Sequence, residues 1–89
     1  MTRGVTRICN KLGMHLRSAG SFVRLASSFE SEILVAVGNG PPVDGKSILG
    51  LATLGAAEGA TLVITADGPD EQRAVDQLVE LVERGFDED

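Results

Sequence analysis

The sequence predicts an α+β fold with one four-stranded antiparallel sheet and three helices on one face of it. Three observations lead to this prediction. The 89 residues are enough for one small core, and we expect a single domain over residues 1–89. Glycines and prolines divide the chain into short segments with strand-like or helix-like patterns. Their order, β-α-β-β-α-β-α, is most simply satisfied by an antiparallel sheet whose second face is open to water.

The strands are indicated by alternation and by β-branched content. Residues 32–37 and 61–66 alternate, with apolar side chains on one face, and residues 2–9 show the same pattern more weakly. A Gly-Asn-Gly sequence after residue 37 predicts a hairpin turn. Two prolines follow it, so the next strand, near Val43, is expected to be short and at an edge.

The helices are indicated by apolar residues at helical spacing. Residues 16–28 carry them at i, i+3, i+4 and i+7, and residues 71–84 carry a similar stripe behind an acidic first turn. We expect Asp70 to cap this last helix and Gly85 to end it. Phe86 is expected to return to the core, and residues 87–89 are expected to fray.

The charge distribution favours an anionic ligand or an acidic partner surface. The formal net charge is −5, yet the segment from residue 1 to residue 24 contains no acid. Its cations are Arg3, Arg7, Lys11, Arg17 and Arg24. Nucleic-acid binding is disfavoured, because three Phe, with no Trp or Tyr, provide no platform for stacked bases.

The sequence predicts a cytoplasmic protein without membrane insertion. Cys9 has no partner for an internal disulfide, which favours a reducing compartment. The first residues contain no apolar stretch like a signal peptide, and no apolar run approaches the roughly 18 residues that span a bilayer. We expect a monomer, since no feature of the sequence indicates an oligomer.

His15 is the first candidate for chemistry. It lies between Gly13 and the predicted helix, whose first N–H groups lack internal partners and attract phosphate. An imidazole there could take a phosphoryl group on a ring nitrogen. The N–H groups of Leu16 and Arg17 and the guanidinium of Arg17 would receive its oxygens. A lone histidine at this position equally fits a simple helix cap or a solvated surface residue.

Ser47 is the second candidate, at the start of a short helix predicted to run to about Leu51. Its side chain is suited to cap that helix, and the functional alternative is phosphorylation at a helix start. So short a helix cannot bury both Ile48 and Leu49. They either form a satellite of the core or an exposed docking surface.

Other site classes are disfavoured. One Cys and one His cannot supply the usual ligands of a metal site, and we expect no metal. The glycines match neither a Walker loop nor a dinucleotide loop, and we expect no cofactor. An enzyme with a small-molecule pocket is the least favoured alternative, because the sequence indicates no second acid or base near His15.

The ordered set of motifs resembles the HPr family, the histidine-containing phosphocarriers of the bacterial phosphotransferase system. The resemblance covers almost the whole chain, and the order of the segments makes it specific. The segments are Gly13-Met14-His15-Leu16-Arg17, Ala19, Phe22-Val23, Ala26, Phe29, Lys46-Ser47-Ile48-Leu49, Thr53-Leu54-Gly55, Gly59, Ala66-Asp67-Gly68, Asp70-Glu71 and Ala74-Val75.

This resemblance implies an open-faced β-sandwich and a phosphoryl carrier rather than a turnover enzyme. His15 would accept a phosphoryl group on Nδ1 from phosphorylated Enzyme I and pass it to a IIA domain of a sugar permease or a regulatory equivalent. Arg17 would stabilise the phosphoryl group. Ser47 aligns with the serine that HPr kinase/phosphorylase modifies in some bacteria. The docking face would contain Leu16, Arg24, Ile48 and Leu49.

Three positions depart from the family pattern. Leu16 stands where a small or polar residue is usual, Ser18 where proline is usual, and Gly50 where a longer side chain is common. Proline is pre-organised for a first helical turn, so Ser18 predicts a looser backbone. The departures at Leu16 and Ser18 keep a second function open. It is a regulatory binding module, in a nitrogen-related branch or controlled through Ser47, with little or no sugar flux.

Overall fold

The element order β-α-β-β-α-β-α is confirmed in the computed structural model, which describes residues 1–88. The predicted segments agree with the observed bounds to within two residues at either end. Within residues 1–88, the helices are too short or too polar to span a bilayer. The elements are β1 (Thr2–Arg7), α1 (Leu16–Ala26), β2 (Glu32–Val37), β3 (Val43–Asp44), α2 (Ile48–Ala52), β4 (Thr61–Asp67), α3 (Glu71–Glu83) and a 3-10 turn (Gly85–Asp87).

The strands form one antiparallel sheet in the order β1-β4-β2-β3. Strand β4 lies inside the sheet and pairs over six residues with β1 and over six with β2. Strand β3 has two residues and lies at the edge, as the prolines before it predict. The first strand of the chain, β1, is therefore hydrogen-bonded to the last, β4.

The three helices cover one face of the sheet, and the core lies between them and that face. Gly4 lets α3 approach β1 closely, because a Cβ there would lie 2.5 Å from Val75 Cγ1. On the other face Val5 is 53% exposed, as expected for an open-faced sandwich. The fully buried residues of the core include Ala19, Phe22 and Ala26 from α1, Ile33, Val35, Leu62, Ile64 and Ala66 from the sheet, and Ala74, Leu78 and Val82 from α3.

The prediction that Asp70 caps α3 is wrong. Asp70 precedes the helix, but within the described part of the chain its carboxylate makes no capping hydrogen bond. It accepts instead from the Ser31 hydroxyl, from the Glu30 N–H at 2.9 Å and from the Ser31 N–H at 3.0 Å. These bonds lower the pKa of Asp70 to about 2, and the bond from the Ser31 hydroxyl contributes most. They join the α1–β2 connection to the start of α3.

Helix α1 begins with a reciprocal pair of hydrogen bonds. His15 is the N-cap, and its ring Nδ1 accepts from the Arg17 N–H at 3.2 Å. In return, Ser18 Oγ accepts from the His15 N–H at 2.9 Å and lies 3.0 Å from the Gly13 carbonyl oxygen. Ser18 is fully buried. The expectation that Ser18 loosens this turn is therefore wrong, because its hydroxyl ties the turn together.

The chain turns back after α3, and the prediction that residues 87–89 fray is wrong for Asp87 and Glu88. Gly85, Phe86 and Asp87 have φ values of 70°, 58° and 61°, so three successive residues are left-handed. Phe86 returns to the core as predicted and is 3% exposed. Asp87 pairs with Arg84 at 3.0 Å. Residue 89 lies outside the described residues.

Replacing Ser18 with alanine is expected to lower the free energy of unfolding by about 1 kcal/mol, because the His15 N–H loses its acceptor. Urea unfolding monitored by circular dichroism measures this. The matched control is Ser21→Ala, since the exposed Ser21 hydroxyl contacts the Arg17 carbonyl within the same helix. Equal stability of the two variants would contradict the capping role of Ser18.

Replacing Asp70 with asparagine is expected to destabilise the fold at neutral pH and to have progressively less effect in acid. The folded-state pKa of Asp70 lies below its ordinary value, so its stabilisation is present above the unfolded-state pKa of about 4. It is lost as the pH falls toward the folded-state value of about 2. Urea midpoints of Asp70→Asn and of the wild type from pH 7 to pH 2 test this, with Asp76→Asn as the control. A constant difference across that range would count against it.

Candidate functional site

The loop before α1 is anchored to the opposite loop and thereby places His15. The Met14 N–H donates to the Ala56 carbonyl at 2.8 Å, and the Met14 side chain is 4% exposed. Gly13 has φ +68°, and a Cβ there would lie 2.3 Å from the Ala56 oxygen. Only glycine therefore allows the backbone to pass so close to this carbonyl two residues before the histidine.

Both ring nitrogens of His15 have a partner. Nδ1 accepts from the Arg17 N–H at 3.2 Å. Nε2 lies 2.9 Å from Glu88 Oε2 and 3.3 Å from Glu88 Oε1. A carboxylate accepts and a backbone N–H donates, so the neutral ring carries its proton on Nε2 and its lone pair on Nδ1. The side chain of His15 is 28% exposed, which leaves the ring accessible.

Glu88 is held by three groups of the site. Its Oε1 accepts from Asn10 Nδ2 at 2.9 Å, and its Oε2 lies 3.5 Å from Arg17 Nε. The carboxylate is 16% exposed. Burial opposes its ionisation, but the hydrogen bonds from His15 and Asn10, together with the charge of Arg17, outweigh burial and lower the pKa of Glu88. An ionised carboxylate is therefore kept beside the imidazole.

A depression lined by three cations and two acids lies beside the site and includes Arg17 and Glu88. Its cations come from the acid-free N-terminal segment, so the positive charge predicted from the sequence lies beside the histidine. An acidic partner or a phosphorylated group would be attracted to this side of the molecule. The lining residues are Lys11, Leu12, Arg17, Ser21, Arg24, Phe86, Asp87 and Glu88.

Exposed apolar side chains surround the start of α1 and continue on α2. Leu16, Ile48 and Leu49 are 64%, 42% and 72% exposed, and α1 packs against α2. Leu12, in the loop before His15, is 67% exposed. Exposed apolar side chains that form a contiguous patch are typical of a surface that a partner covers.

Ser47 caps α2 as predicted. Its hydroxyl accepts from the Gly50 N–H at 3.0 Å, and the residue is half-buried. Arg24, on the last turn of α1, donates to Ser21 Oγ at 3.3 Å and is exposed. The structure thus brings Arg17 to His15, while Ser47 lies at the start of the neighbouring helix.

Two residues of the site, Glu88 and Asn10, were not predicted from the sequence. The expectation that no second acid or base lies near His15 is wrong, since the Glu88 carboxylate is 2.9 Å from Nε2. Glu88 stands 73 residues from His15, and no local pattern connects the two. The signal in the sequence was an apolar residue, Phe86, directly after the glycine that ends the last helix. If Phe86 is buried, the residues that follow it must also lie close to the folded domain.

The arrangement suits nucleophilic attack by a neutral imidazole. The Nδ1 lone pair faces the N-terminus of α1, where N–H groups and the macrodipole favour negative charge. The partner of Nε2 is an anion, which stabilises positive charge on the ring.

A family model described as "PTS HPr component phosphorylation site" matches residues 3–84. Phosphocarrier protein HPr of Cupriavidus necator is 43% identical over 93% of this chain and 92% of its own length. Phosphocarrier protein NPr of Escherichia coli is 37% identical over 92% of this chain and 91% of its own.

The fold agrees with a solved structure from the same family. The crystal structure of HPr-C-His from Thermoanaerobacter tengcongensis superposes with a TM-score of 0.92 at 39% identity. The superposition covers 100% of this chain and 99% of the other. The sequence match, the open-faced sandwich and the histidine at the start of α1 agree, and this chain belongs to the HPr family of phosphocarriers of the phosphotransferase system.

Proposed function

We propose that the protein carries a phosphoryl group on Nδ1 of His15, accepts it from phosphorylated Enzyme I and passes it to a IIA domain. The observation that carries this proposal is the state of the ring. Its accessible Nδ1 keeps a lone pair at the start of α1, while Nε2 is paired with a carboxylate. Family membership supports the same chemistry.

In the transfer, Nδ1 of His15 gives up the hydrogen bond from the Arg17 N–H and forms a covalent bond to phosphorus. The Nδ1 lone pair attacks phosphorus as the bond between phosphorus and the donor's nitrogen breaks, and the electron pair leaves with the donor's imidazole. The Arg17 N–H, which now donates to Nδ1, becomes available to a phosphoryl oxygen. The N–H of Leu16 and the guanidinium of Arg17 complete the phosphate-binding group, since both face or can reach the same helix end.

The docking surface of the proposed carrier is formed by Leu16, Arg24, Ile48 and Leu49. Their combination of exposed apolar side chains and one cation suits brief contact with partners whose surfaces are acidic around an apolar centre. Donor and acceptor must use this surface in turn, because both have to reach the same nitrogen. We therefore expect small interfaces of short lifetime.

A regulatory module is the second candidate. Leu16, 64% exposed beside His15, adds apolar bulk where the family usually has a smaller or polar residue, and this favours a different choice of partner. Ser47 offers a half-buried hydroxyl at a helix start, where an HPr kinase/phosphorylase could add a charge that changes docking through Ile48 and Leu49. The carrier is the first choice, because the geometry at His15 supports phosphoryl transfer directly.

Incubation with Enzyme I and phosphoenolpyruvate is expected to add one phosphoryl group, measured by intact mass, because Nδ1 is accessible and unprotonated. The added group is expected to be labile in acid and absent from His15→Ala. A previously characterised HPr serves as the control for Enzyme I activity. If that control is phosphorylated and this protein is not, the carrier proposal fails, and Ser47 phosphorylation becomes the next measurement.

Truncating Leu49 to alanine is expected to slow phosphoryl transfer from Enzyme I about fivefold at limiting concentration, the effect of losing about 1 kcal/mol at an interface. Rapid-quench measurement of the transfer rate tests this. The matched control is Val5→Ala, which removes an exposed apolar side chain from the open face of the sheet. Equal rates for both variants would place the docking surface elsewhere.

A further inference from the structure

The C-terminal turn holds a strained conformation that brings an acidic side chain onto the histidine. Phe86 and Asp87 both have positive φ, at 58° and 61°, and neither is glycine. Such residues resist the left-handed region and persist there when the surroundings fix them. The buried Phe86 ring and the Arg84–Asp87 pair provide that fixation. The next residue is Glu88.

The carboxylate of Glu88 is part of the site, because its oxygens contact both His15 and Asn10. Its Oε2 is buried and has no well-aligned hydrogen-bond donor among the described residues, although Nε2 of His15 is 2.9 Å away. Its Oε1 accepts from Asn10 Nδ2. Asn10 also donates to the Gly13 carbonyl at 2.9 Å and so connects Glu88 to the loop that places His15.

We propose, on the basis of the carrier function above, that Glu88 is a positioning residue for phosphoryl transfer at His15. Its carboxylate receives the proton on Nε2 and thereby keeps the lone pair on Nδ1. The Arg17 N–H selects the same tautomer from the other side of the ring. Two independent contacts therefore direct the phosphoryl group to one nitrogen.

The same carboxylate stabilises the ring as its charge changes. When Nδ1 forms its bond to phosphorus, the donor's bond to phosphorus breaks and its electron pair leaves with the donor's nitrogen. The His15 ring keeps its Nε2 proton and becomes cationic. A carboxylate at 2.9 Å from Nε2 stabilises that cation and the transition state leading to it. In the onward transfer the electron pair returns to Nδ1 and the ring is neutral again.

Arg17 is expected to change partner during the reaction. Its Nε lies 3.5 Å from Glu88 Oε2, and its side chain is 74% exposed, so the guanidinium has room to turn. The phosphoryl group on Nδ1 attracts it, while Glu88 remains with Nε2 and Asn10. Between transfers, the contact with Glu88 thus holds the Arg17 guanidinium beside the site.

The test separates the proton-accepting role of Glu88 from its charge. Glu88→Gln keeps an oxygen that can accept from Nε2 but removes the charge, and Glu88→Ala removes both. Glu83→Gln makes the same charge change at an exposed position at the end of α3 and is the control. His15 is the only histidine in the chain, so long-range proton–nitrogen NMR reports its tautomer without ambiguity.

The wild type and Glu83→Gln are expected to carry the proton on Nε2 and to receive the phosphoryl group at equal rates. Glu88→Gln should keep this tautomer and lose about fivefold in transfer rate, the effect of one partly exposed charge. Glu88→Ala should show both tautomers and a larger loss of rate.

Transfer rates of both Glu88 variants within twofold of Glu83→Gln would overturn the proposal, as would a wild-type proton on Nδ1. If the wild type itself receives no phosphoryl group from active Enzyme I, the carrier function fails, and the transfer role of Glu88 fails with it. In that case the tautomers of the wild type and Glu88→Ala still decide whether Glu88 orients the ring.

Discussion

The hydrogen bond from the Arg17 N–H to the His15 ring is the interaction on which the rest of the site depends. It closes the first turn of α1, and it points Nδ1 at the helix N-terminus, where negative charge is favoured. The residue that caps the helix is thus the candidate nucleophile. The proposed phosphorylation of Nδ1 would break this ring cap, whereas the bond between the His15 N–H and Ser18 Oγ does not involve the ring and would remain.

Ser18 and Gly50 show how this chain tolerates its departures from the family pattern. At Ser18 a buried hydroxyl with two partners takes the place of a proline ring. At Gly50 a Cβ would lie 3.2 Å from Ser47 Oγ, the oxygen that accepts from the Gly50 N–H. Glycine weakens a helix in general, but here it leaves the cap of α2 uncrowded. Leu16 differs from both, since its exposed side chain changes the surface and not the backbone.

The C-terminal tail is joined at the site to the loop before α1 and to the first turn of that helix. Its anchor is Phe86, its turn is left-handed, and its ionised carboxylate is shared by His15, Arg17 and Asn10. The basic N-terminal segment and the acidic C-terminus, which the sequence shows as a simple asymmetry, meet there. The asymmetry therefore has two effects: it gathers Lys11, Arg17 and Arg24 around one depression, and it provides a carboxylate beside the ring.

The sequence by itself determined the elements and the position of the histidine. Alternation, helical spacing and glycine turns are local properties, and they predicted strands and helices within two residues of the observed bounds. They also placed His15 at a helix start and Ser47 at a cap, as observed. The resemblance to the HPr family could be recognised from the sequence because its motifs are also short local segments.

Only the tertiary structure decided which distant groups meet. The strand order β1-β4-β2-β3, the bonds of Asp70 to a segment some 40 residues away and the pairing of Glu88 with His15 have no local signature. A side chain such as Asp70 can cap its own helix or bind a distant loop, and the same sequence pattern permits both. Burial and long-range packing choose between these partners, because a carboxylate is stabilised most where the fold brings several donors together.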